Sequence, residues 1–579
     1  MNIMGFSAYG HTSSAALIVD GRLVAAAEEE RFLRRKYNMT LPLNAARFCL
    51  AQAGMTPEDL DQVGYFFDLK LGLPKYMLHA VKHFPRSLKL LTERVPGPEG
   101  FELVIKPWRT FNMKKFFLGG LGAMDIGRVN FRFLEHHICH AAHFLESPFE
   151  EAAICTLDAL GEWTSTGLYD GVGNKIREVG RINFPHSLGA VYAAISTHLG
   201  FGAIQGPGKV MGLAAYGDPE HFGPAFRKLF KLLPGGGFKV DLDYFEYHKS
   251  RGKRVSEKFV NEFCPQRLAG EDILEDHKDL AAALQTTLEQ VMLHLARSLH
   301  RRTGRRNLVL AGGVALNSLA NGELMRKGPF EKIYIPPSPG DSGTAVGAAL
   351  LLASQSGLSR QDLFRKTPFL GPMFSEKDIV RAAQARGLNV RRQKDIVKTA
   401  VRLISKGNLV GWFQGRMEFG PRALGNRSIL ADPSRSGTRD RLNNRIKKRE
   451  AFRPFAPACN QEDMEDLFED RGESPFMSFV FKARPSAARL LKEAIHVDGG
   501  ARVQTVRYDT YPLFHRLIQD FKEKTGVPGL LNTSFNASGE PIVCTPEDAT
   551  RCYLETGLDA LIMGDFLVQG PPPPRPHPR

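Results

Sequence analysis

Apolar and polar positions at the start of the chain fall into short blocks that read as strands joined by turns. Ile3–Ala8 is an apolar run, the Gly-His-Thr-Ser-Ser stretch from Gly10 is turn-forming, and Ala15–Val19 is a second run. Asp20-Gly21 is a two-residue hairpin signal before Arg22–Ala26. A similar opening runs from Ala152 to Asp158, followed by Gly161, Thr164–Thr166 and Gly167–Gly171. The pair of openings predicts a duplicated α/β domain. Further on, Leu280, Leu284, Leu288, Met292 and Leu295 recur at three- and four-residue intervals, the spacing of one helix face, within a stretch from Ser256 to about Gly304. Asn307–Ala311 reads as a strand ending in Gly312-Gly313 and opening a helix. Tyr334–Gly343 is another strand-to-turn before a small-residue helix over Ala345–Leu351. A boundary is expected near Lys366–Pro372. Beyond it, strands are expected near Leu409–Phe413 and Gly529–Leu531, with helices between, and the Pro-rich end from Pro571 can only be extended or disordered.

Composition narrows the class. At 579 residues, with 43% hydrophobic and 24% charged, the chain is globular and long enough for at least two domains. No run of 18 or more apolar residues exists, so a membrane-spanning helix is not expected. Seven cysteines, odd and dilute, suit reduced thiols in the cytoplasm, and the first residues carry no signal-peptide pattern.

The formal charge of +15 suggests an anionic partner, and its placement refines that. Arg402–Arg453 holds 13 basic against 4 acidic residues, net +9, and Lys70–Lys115 holds 10 against 3, net +7. The remainder therefore nets −1. The Lys70–Lys115 stretch mixes Lys, Pro and aromatic residues and reads as a basic amphipathic insertion, around 70–116, in the first half.

Three clusters carry candidate chemistry. Glu135–His143 holds four histidines within Val129–Ser147, a stretch without Pro or Gly. As a helix it puts His136, His140 and His143 on one stripe, and two His four apart can chelate one metal ion. Asp158 and Asp341, each at a strand end before a Gly-containing turn, are the carboxylates that would complete such a site. The pattern is not His-Glu-x-x-His, which disfavours a zinc peptidase. A second cluster, Leu310–Gly313 with Gly340–Gly343, suits the cradling of phosphate or ribose, because glycines let main-chain N–H groups approach an anion. Neither a P-loop nor a dinucleotide-binding glycine pattern occurs. The third and densest cluster runs Gly415–Ser428, then Ile446–Glu450 and Phe452–Pro457, with Arg502–Thr505 and Leu531–Asn536 later. Arg held between Gly and Pro suits bidentate contact with phosphate or carboxyl oxygens. A solvated RNA-binding surface rarely has such rigid Gly-Pro packing.

At these residues the chain resembles the O-carbamoyltransferases of the nodulation and antibiotic-tailoring family. The resemblance runs nearly end to end, through Ala8-Tyr9-Gly10-His11, Ala25–Phe32, His136–Ala141, Gly208-Lys209-Val210-Met211-Gly212 to Gly217 and the C-terminal cluster. It implies an α/β fold with an N-terminal duplicated ASKHA (actin-like ATPase, Kae1-like) domain over 1–365 and a C-terminal YrdC-like domain over 366–570, with 571–579 as a tail. The implied chemistry joins carbamoyl phosphate and ATP into carbamoyl-adenylate at the second domain. The first then transfers the carbamoyl group, with metal assistance, to a hydroxyl of a secondary metabolite. By motif match, His136, His140, Asp158 and Asp341 would hold the metal, iron in the family's best-known case, while the donor set equally suits Zn or Mn.

Arg422, Lys447, Arg453, Arg502, Asn532 and Ser534 would bind ATP and carbamoyl phosphate, with Mg2+ accompanying ATP. Gly312, Gly313 and Asn317 are assigned to cofactor binding. His11 and Lys36 match positions near the acceptor and the intermediate, and His143 is a second choice of base for the acceptor hydroxyl. No nucleic acid or membrane partner is expected, and a homodimer is allowed. A competing reading is a tRNA threonylcarbamoylation-type enzyme. The chain departs from the family pattern at Thr12, where Asp is usual, at Ala159, where Gly is usual, and at His143, where a small residue is common.

Overall fold

In the computed structural model, which describes residues 1–89, 110–250, 252–363 and 367–570, the chain separates into two compact units. Unit 1 comprises Met1–Glu29 and Tyr37–Arg365, and unit 2 comprises Glu30–Lys36 and Lys366–Arg579. The short N-terminal segment Glu30–Lys36 thus belongs with the C-terminal unit. Within that unit, Arg31 Nη2 donates to the Gly420 carbonyl (2.9 Å) and Arg34 Nη1 to that of Ile542 (2.7 Å).

Unit 1 contains two five-stranded sheets. The first is built from β1 (Asn2–Ser7), β2 (Ser14–Val19), β3 (Arg22–Glu28), β4 (Gln62–Tyr65) and β5 (Asn130–Phe133), in the order β3-β2-β1-β4-β5. The second is built from β6 (Glu151–Leu157), β7 (Thr164–Val172), β8 (Lys175–Asn183), β11 (Asn307–Ala311) and β12 (Lys332–Tyr334), in the order β8-β7-β6-β11-β12. In each sheet the first three strands in sequence are antiparallel, and the last two extend the sheet in parallel. The same strand order and sense occur twice, so the two hairpin openings belong to two copies of one sheet plan. A small hairpin, β9 (Phe230–Leu232) with β10 (Phe238–Val240), stands apart.

The small-residue helix Thr344–Gln355 explains how the two halves of unit 1 lock. A Cβ at Gly5 on β1 would lie 2.0 Å from the Ala345 carbonyl oxygen, and a Cβ at Gly347 would lie 1.8 Å from that of Cys139. Glycine at both positions lets the helix lie against the first sheet on one side and against His136–Ala141 on the other. Its N-terminal turn, Asp341–Gly343, is thereby drawn to the histidine helix.

Two helix expectations are corrected. The stretch from Val129 to Ser147 is not one helix: Asn130–Phe133 is β5, the helix covers only His136–Ala141, and a 3-10 turn follows over Ala142–Phe144. The alternation Asn-Phe-Arg-Phe has the period of a strand, and β4 offers a parallel edge for it. Helical structure between 256 and 304 is likewise split into Glu257–Glu262 and the long Glu275–Thr303, with Pro265 and the left-handed Gly270 between and the left-handed Gly304 ending the second.

Unit 2 is built on an eight-stranded mixed sheet. Its strands are β13 (Asn389–Arg392), β14 (Val410–Phe413), β15 (Arg427–Ala431), β16 (Ala456–Asn460), β19 (Gln504–Val506), β20 (Leu530–Ser534), β21 (Ala560–Met563) and β22 (Phe566–Gln569). They run in the order β13-β22-β21-β14-β15-β20-β16-β19, and a short pair, β17 (Val480–Lys482) with β18 (Gly500–Arg502), lies beside them. Apolar faces of Glu376–Gln384 and Pro546–Thr556 share a core with this sheet through Ile379, Ala549, Cys552, Ile429, Leu531 and Leu561.

All seven cysteines are free and buried. No helix among the described residues is long and apolar enough to cross a membrane. Of the basic stretch around 70–116, the helices Leu69–Lys82 and Met113–Leu121 are described. Its middle, 90–109, and the Pro-rich tail, 571–579, lie outside the described residues.

Candidate functional site

In unit 1, four buried side chains meet where two strand ends and two helices converge. His136 and His140 sit one turn apart on the same helix, with their Nε2 atoms 3.1 Å from each other. Asp158 follows β6, and its Oδ2 is 3.3 Å from His140 Nε2 and 3.8 Å from His136 Nε2. Asp341 opens the turn before the small-residue helix, and its Oδ1 is 3.7 Å and 3.9 Å from the same nitrogens. Ligand atoms from all four lie within 4.8 Å of one another. Among the described residues Asp341 Oδ1 has no hydrogen-bond partner although buried. A buried lone pair facing two imidazole nitrogens is costly unless a cation fills the gap. The site fits a divalent metal on that ground.

The surroundings hold this cluster in place. The parallel pairing of β6 with β11 brings Gly312 and Gly313 beside Asp158, and Gly313 donates its main-chain N–H to Asp158 Oδ2 (2.9 Å). Gly312 has φ +92°, and a Cβ there would lie 2.1 Å from the Leu157 carbonyl oxygen, so glycine is required for this close approach. Ala159 donates its N–H to Asp158 Oδ1 (2.6 Å) from a backbone conformation open to any residue, so Ala in place of Gly leaves the carboxylate seated. Glu162, which sequence reading missed, accepts from the His136 main-chain N–H with both oxygens (3.0 and 3.1 Å). Burial raises its carboxyl to about 6. Burial also disfavours charge on the histidines. At His136 the Asp158 and Asp341 carboxylates outweigh it and raise the ring to about 9, whereas at His140 burial prevails and the ring is lowered.

His11 reaches this cluster from the first turn: its Nδ1 is 3.2 Å from Asp341 Oδ2, and the side chain is partly exposed. Thr12 is beside it, its Oγ1 buried without a partner. His143 does not join the four. Its Nδ1 pairs with Glu146 Oε1 at 2.5 Å, and its Nε2 faces Gly343, where a Cβ would lie 2.9 Å away. The 3-10 turn rotates it off the helical stripe expected from spacing. Asn317 caps the Ser318–Lys327 helix through Ala320 N–H and pairs with Gln285 (2.8 and 3.0 Å).

In unit 2 the densest sequence cluster becomes a cationic one. Lys447 ends a π-helical turn, Leu442–Lys447, followed by the left-handed Lys448. Such wide turns recur at functional sites. Lys447 is buried, and its Nζ donates to Ser534 O and Oγ and to Asn536 O and Oδ1 at 2.5–3.2 Å. Burial and then Arg449 push this ammonium well below its usual range. Asn532, on β20 like Ser534, donates to Gln504 Oε1 (2.8 Å) and leaves its own buried Oδ1 free.

Arg422 is lowered to about 10 by burial and Arg453, and Arg449 to about 9 by burial and Arg453. Arg502 is lowered well below its usual range by burial and then by Arg422, Arg449 and Arg453. Among the described residues no carboxylate pairs with Arg422 or Arg502, and Arg502 Nε is buried without a partner. Lys36 stands in the same unit. Burial lowers it, Glu30 opposes that, and Arg31 and Arg453 add to it. Guanidinium and ammonium groups that depress one another in this way make a strongly positive site, and a polyanion relieves it. Arg449 was missed as a site residue, although the Lys-Lys-Arg-Glu run containing it was legible. Arg427, by contrast, is structural: it is fully buried, donates to main-chain carbonyls of Gln414, Asn426, Pro372 and Gly415, and stacks 3.6 Å from the Phe413 ring centroid.

Comparison with known proteins adds family information. Residues 2–350 match the model described as Carbamoyltransferase N-terminus, and residues 401–570 the one described as Carbamoyltransferase C-terminus. Nodulation protein NolNO of Sinorhizobium fredii is 37% identical over 571 residues, covering 96% of this chain and 79% of its own. Uncharacterized protein sll1178 of Synechocystis sp. is 37% identical over 601 residues, covering 98% of this chain and 96% of its own. The 3'-hydroxymethylcephem-O-carbamoyltransferase of Amycolatopsis lactamdurans is 37% identical over 266 residues, 45% of this chain and 48% of that one.

Proposed function

This chain belongs to the carbamoyltransferase family and is an enzyme that transfers a carbamoyl group; from that premise we propose that it is an ATP-dependent O-carbamoyltransferase whose two units divide the work. Unit 2 forms carbamoyl-adenylate, and unit 1 passes the carbamoyl group to a hydroxyl of a small-molecule acceptor. We read unit 1 as a duplicated actin-like ATPase (ASKHA) domain, a reading supported by its repeated strand order, and unit 2 as YrdC-like.

In the first step carbamoyl phosphate and water give carbamate and phosphate. A carbamate oxygen then bonds to the α-phosphorus of ATP as the bond to pyrophosphate breaks. The reactants are polyanions, so like-charge repulsion must be offset before they meet. Arg422 and Arg502, set together without a paired carboxylate among the described residues, are the observation that carries this half of the reading. Arg449 and Arg453 widen the positive field. Lys447 is fixed by Ser534 and Asn536, so it offers its charge without reorganising.

In the second step the acceptor oxygen bonds to the carbamoyl carbon, the bond from that carbon to the AMP oxygen breaks, and AMP leaves. His136, His140, Asp158 and Asp341 would hold a divalent metal, iron or a similar ion, which supplies Lewis-acid polarisation. Asp341 would turn Oδ1 towards this ion while Oδ2 orients His11. His11, partly exposed and 3.2 Å from Asp341 Oδ2, takes the proton released by the acceptor hydroxyl. A small-molecule hydroxyl, as in secondary metabolites, is supported by the name of the cephem-modifying relative.

The test is the nucleotide product. With carbamoyl phosphate, ATP should become AMP and pyrophosphate. ADP alone would point to kinase chemistry instead. AMP formation that needs threonine and bicarbonate and ignores carbamoyl phosphate would point to tRNA threonylcarbamoylation. The acceptor would be found by the mass gain of one carbamoyl group in place of a hydrogen.

A further inference from the structure

A second histidine cluster in unit 1 belongs to none of the motifs above. His79 and His83 lie four residues apart at the C-terminal end of the Leu69–Lys82 helix, and His248 comes from the segment between Tyr247 and Lys249. Ring centroids are 4.4 Å apart for His79 and His83, 5.6 Å for His79 and His248, and 5.2 Å for His83 and His248. One nitrogen from each lies within 4.8 Å of the other two. We propose that His79, His83 and His248 form a second divalent-metal site, one that takes a borderline cation of the Zn2+ class and pins the Leu69–Lys82 helix to the rest of unit 1.

His248 is the first reason. It is only 1% exposed, yet among the described residues neither ring nitrogen has a hydrogen-bond partner. An imidazole always presents a donor and a lone pair, or two donors, so leaving both unmet in the interior is costly. A metal ion at the shared centre satisfies the lone pair. His79 supplies the second reason. Its Nε2 lies 3.0 Å from the His248 main-chain carbonyl oxygen, which can only accept. Nε2 therefore carries the ring proton, and Nδ1 keeps its lone pair. A ligating histidine commonly fixes its tautomer by donating its other nitrogen to a carbonyl in this way.

The donor set decides the metal class. Three imidazole nitrogens without a carboxylate suit Zn, Cu or Ni and do not suit Mg or Ca. Zinc–nitrogen bonds of about 2.0–2.1 Å require the three nitrogens to converge on one point, and they lie within 4.8 Å of one another. His83 caps the helix and is partly exposed, so its ring can turn to close the set. A fourth position stays open to water.

The placement gives the site a purpose. At its other end the same helix begins at Asp68, whose N–H donates to Glu162 Oε1 (2.9 Å), and Glu162 also binds the main-chain N–H of His136. Tyr76 and His79 pack edge-on against Trp163 between these ends. The helix therefore runs from the support of the four-residue cluster to the three-histidine cluster. A metal there would hold it by both ends.

The test uses tag-free, full-length protein, stripped with chelator, reloaded with Zn2+, desalted and assayed for zinc per chain. Two zinc ions are expected in the wild type, one in His83→Ala, one in His136→Ala, and none in the double variant. Reloading with Co2+ gives a second readout: the visible absorption lost in His83→Ala should be that of a nitrogen-only, low-coordinate centre, distinct from that lost in His136→Ala. His83 is at a partly exposed helix end, so its loss spares the fold, and His83→Gln should behave like His83→Ala. Zinc retained at the wild-type level in both His83 variants overturns the proposal, whatever the four-residue cluster holds.

Discussion

His136 Nε2 and His140 Nε2 face each other across 3.1 Å, with an Asp158 oxygen 3.3 Å from the second. A gap of that size between two nitrogens matches two ligands on one ion, and the pair can place at most one proton in it. His140→Ala and Asp341→Asn should each lower the metal held at this cluster by tenfold or more. Carbamoyl transfer should fall with it, while AMP formation stays within about twofold. Metal analysis beside nucleotide chromatography checks both halves. A variant that transfers at the wild-type rate without metal would defeat the assignment.

Burial lowers the proton affinity of both Arg502 and Arg422, Arg453 lowers both further, and Arg422 adds to the effect at Arg502. Removing either should slow AMP and pyrophosphate formation by about 100- to 1000-fold, the usual loss for one preorganised charge contact. Arg502→Lys should recover little of this, since an ammonium cannot replace a two-pronged contact. Steady-state kinetics at saturating ATP and carbamoyl phosphate separates the binding loss from the rate loss.

Gly347 lets the Thr344–Gln355 helix touch the Cys139 carbonyl, where a Cβ would come within 1.8 Å. Gly347→Ala should cost on the order of 2–3 kcal/mol of stability by forcing the helix outward. It should also weaken metal binding, because Asp341 opens the turn that leads into that helix. Gly119→Ala is the control. Apart from its own helical turn, no atom of the described residues lies within 4 Å of a Cβ there, and in a helix Ala should match or exceed Gly. Chemical unfolding of the two variants side by side gives the comparison.

Burial, with Glu323 adding to it and Gln285 opposing, raises the Glu289 carboxyl to about 7 from its usual 4.5. A raised folded value means a stabilising term that is full below pH 4.5 and lost as pH rises through 7. Glu289→Gln, which cannot ionise, should therefore be more stable than the wild type at pH 8, by on the order of 2 kcal/mol, and about equal to it at pH 4.5. Urea unfolding at the two pH values measures the difference. An equal offset at both would mean that Glu289 is ionised throughout.

Several of these elements were readable from sequence because their signal is local. His136 and His140 declare a shared helix face by spacing, and Asp158 directly follows β6, whereas Asp341, expected at a strand end, opens a 3-10 turn seven residues beyond β12. The duplicated sheet showed in its two hairpin openings. What could not be read depends on partners far along the chain. Nothing near Glu162 says that it will hold the His136 helix, and nothing near Arg31 or Arg34 says that they will serve the C-terminal unit. His143 fits the helical stripe by number alone, and one 3-10 turn carries it to Glu146. His248 is a lone histidine in sequence and gains meaning only when the Leu69–Lys82 helix brings His79 and His83 to it. The dense Arg and Lys motifs were visible, but telling Arg427, which props up carbonyls, from Arg422 and Arg502, which have no acid to pair with, requires their surroundings.

The central claim, that unit 2 makes a carbamoyl-adenylate, is tested most directly by exchange of radiolabelled pyrophosphate into ATP with the full chain. The account predicts exchange only when carbamoyl phosphate is present, its loss in Arg502→Ala, and its retention in His136→Ala. Exchange that ignores carbamoyl phosphate, or ADP formation with no exchange at all, would contradict it.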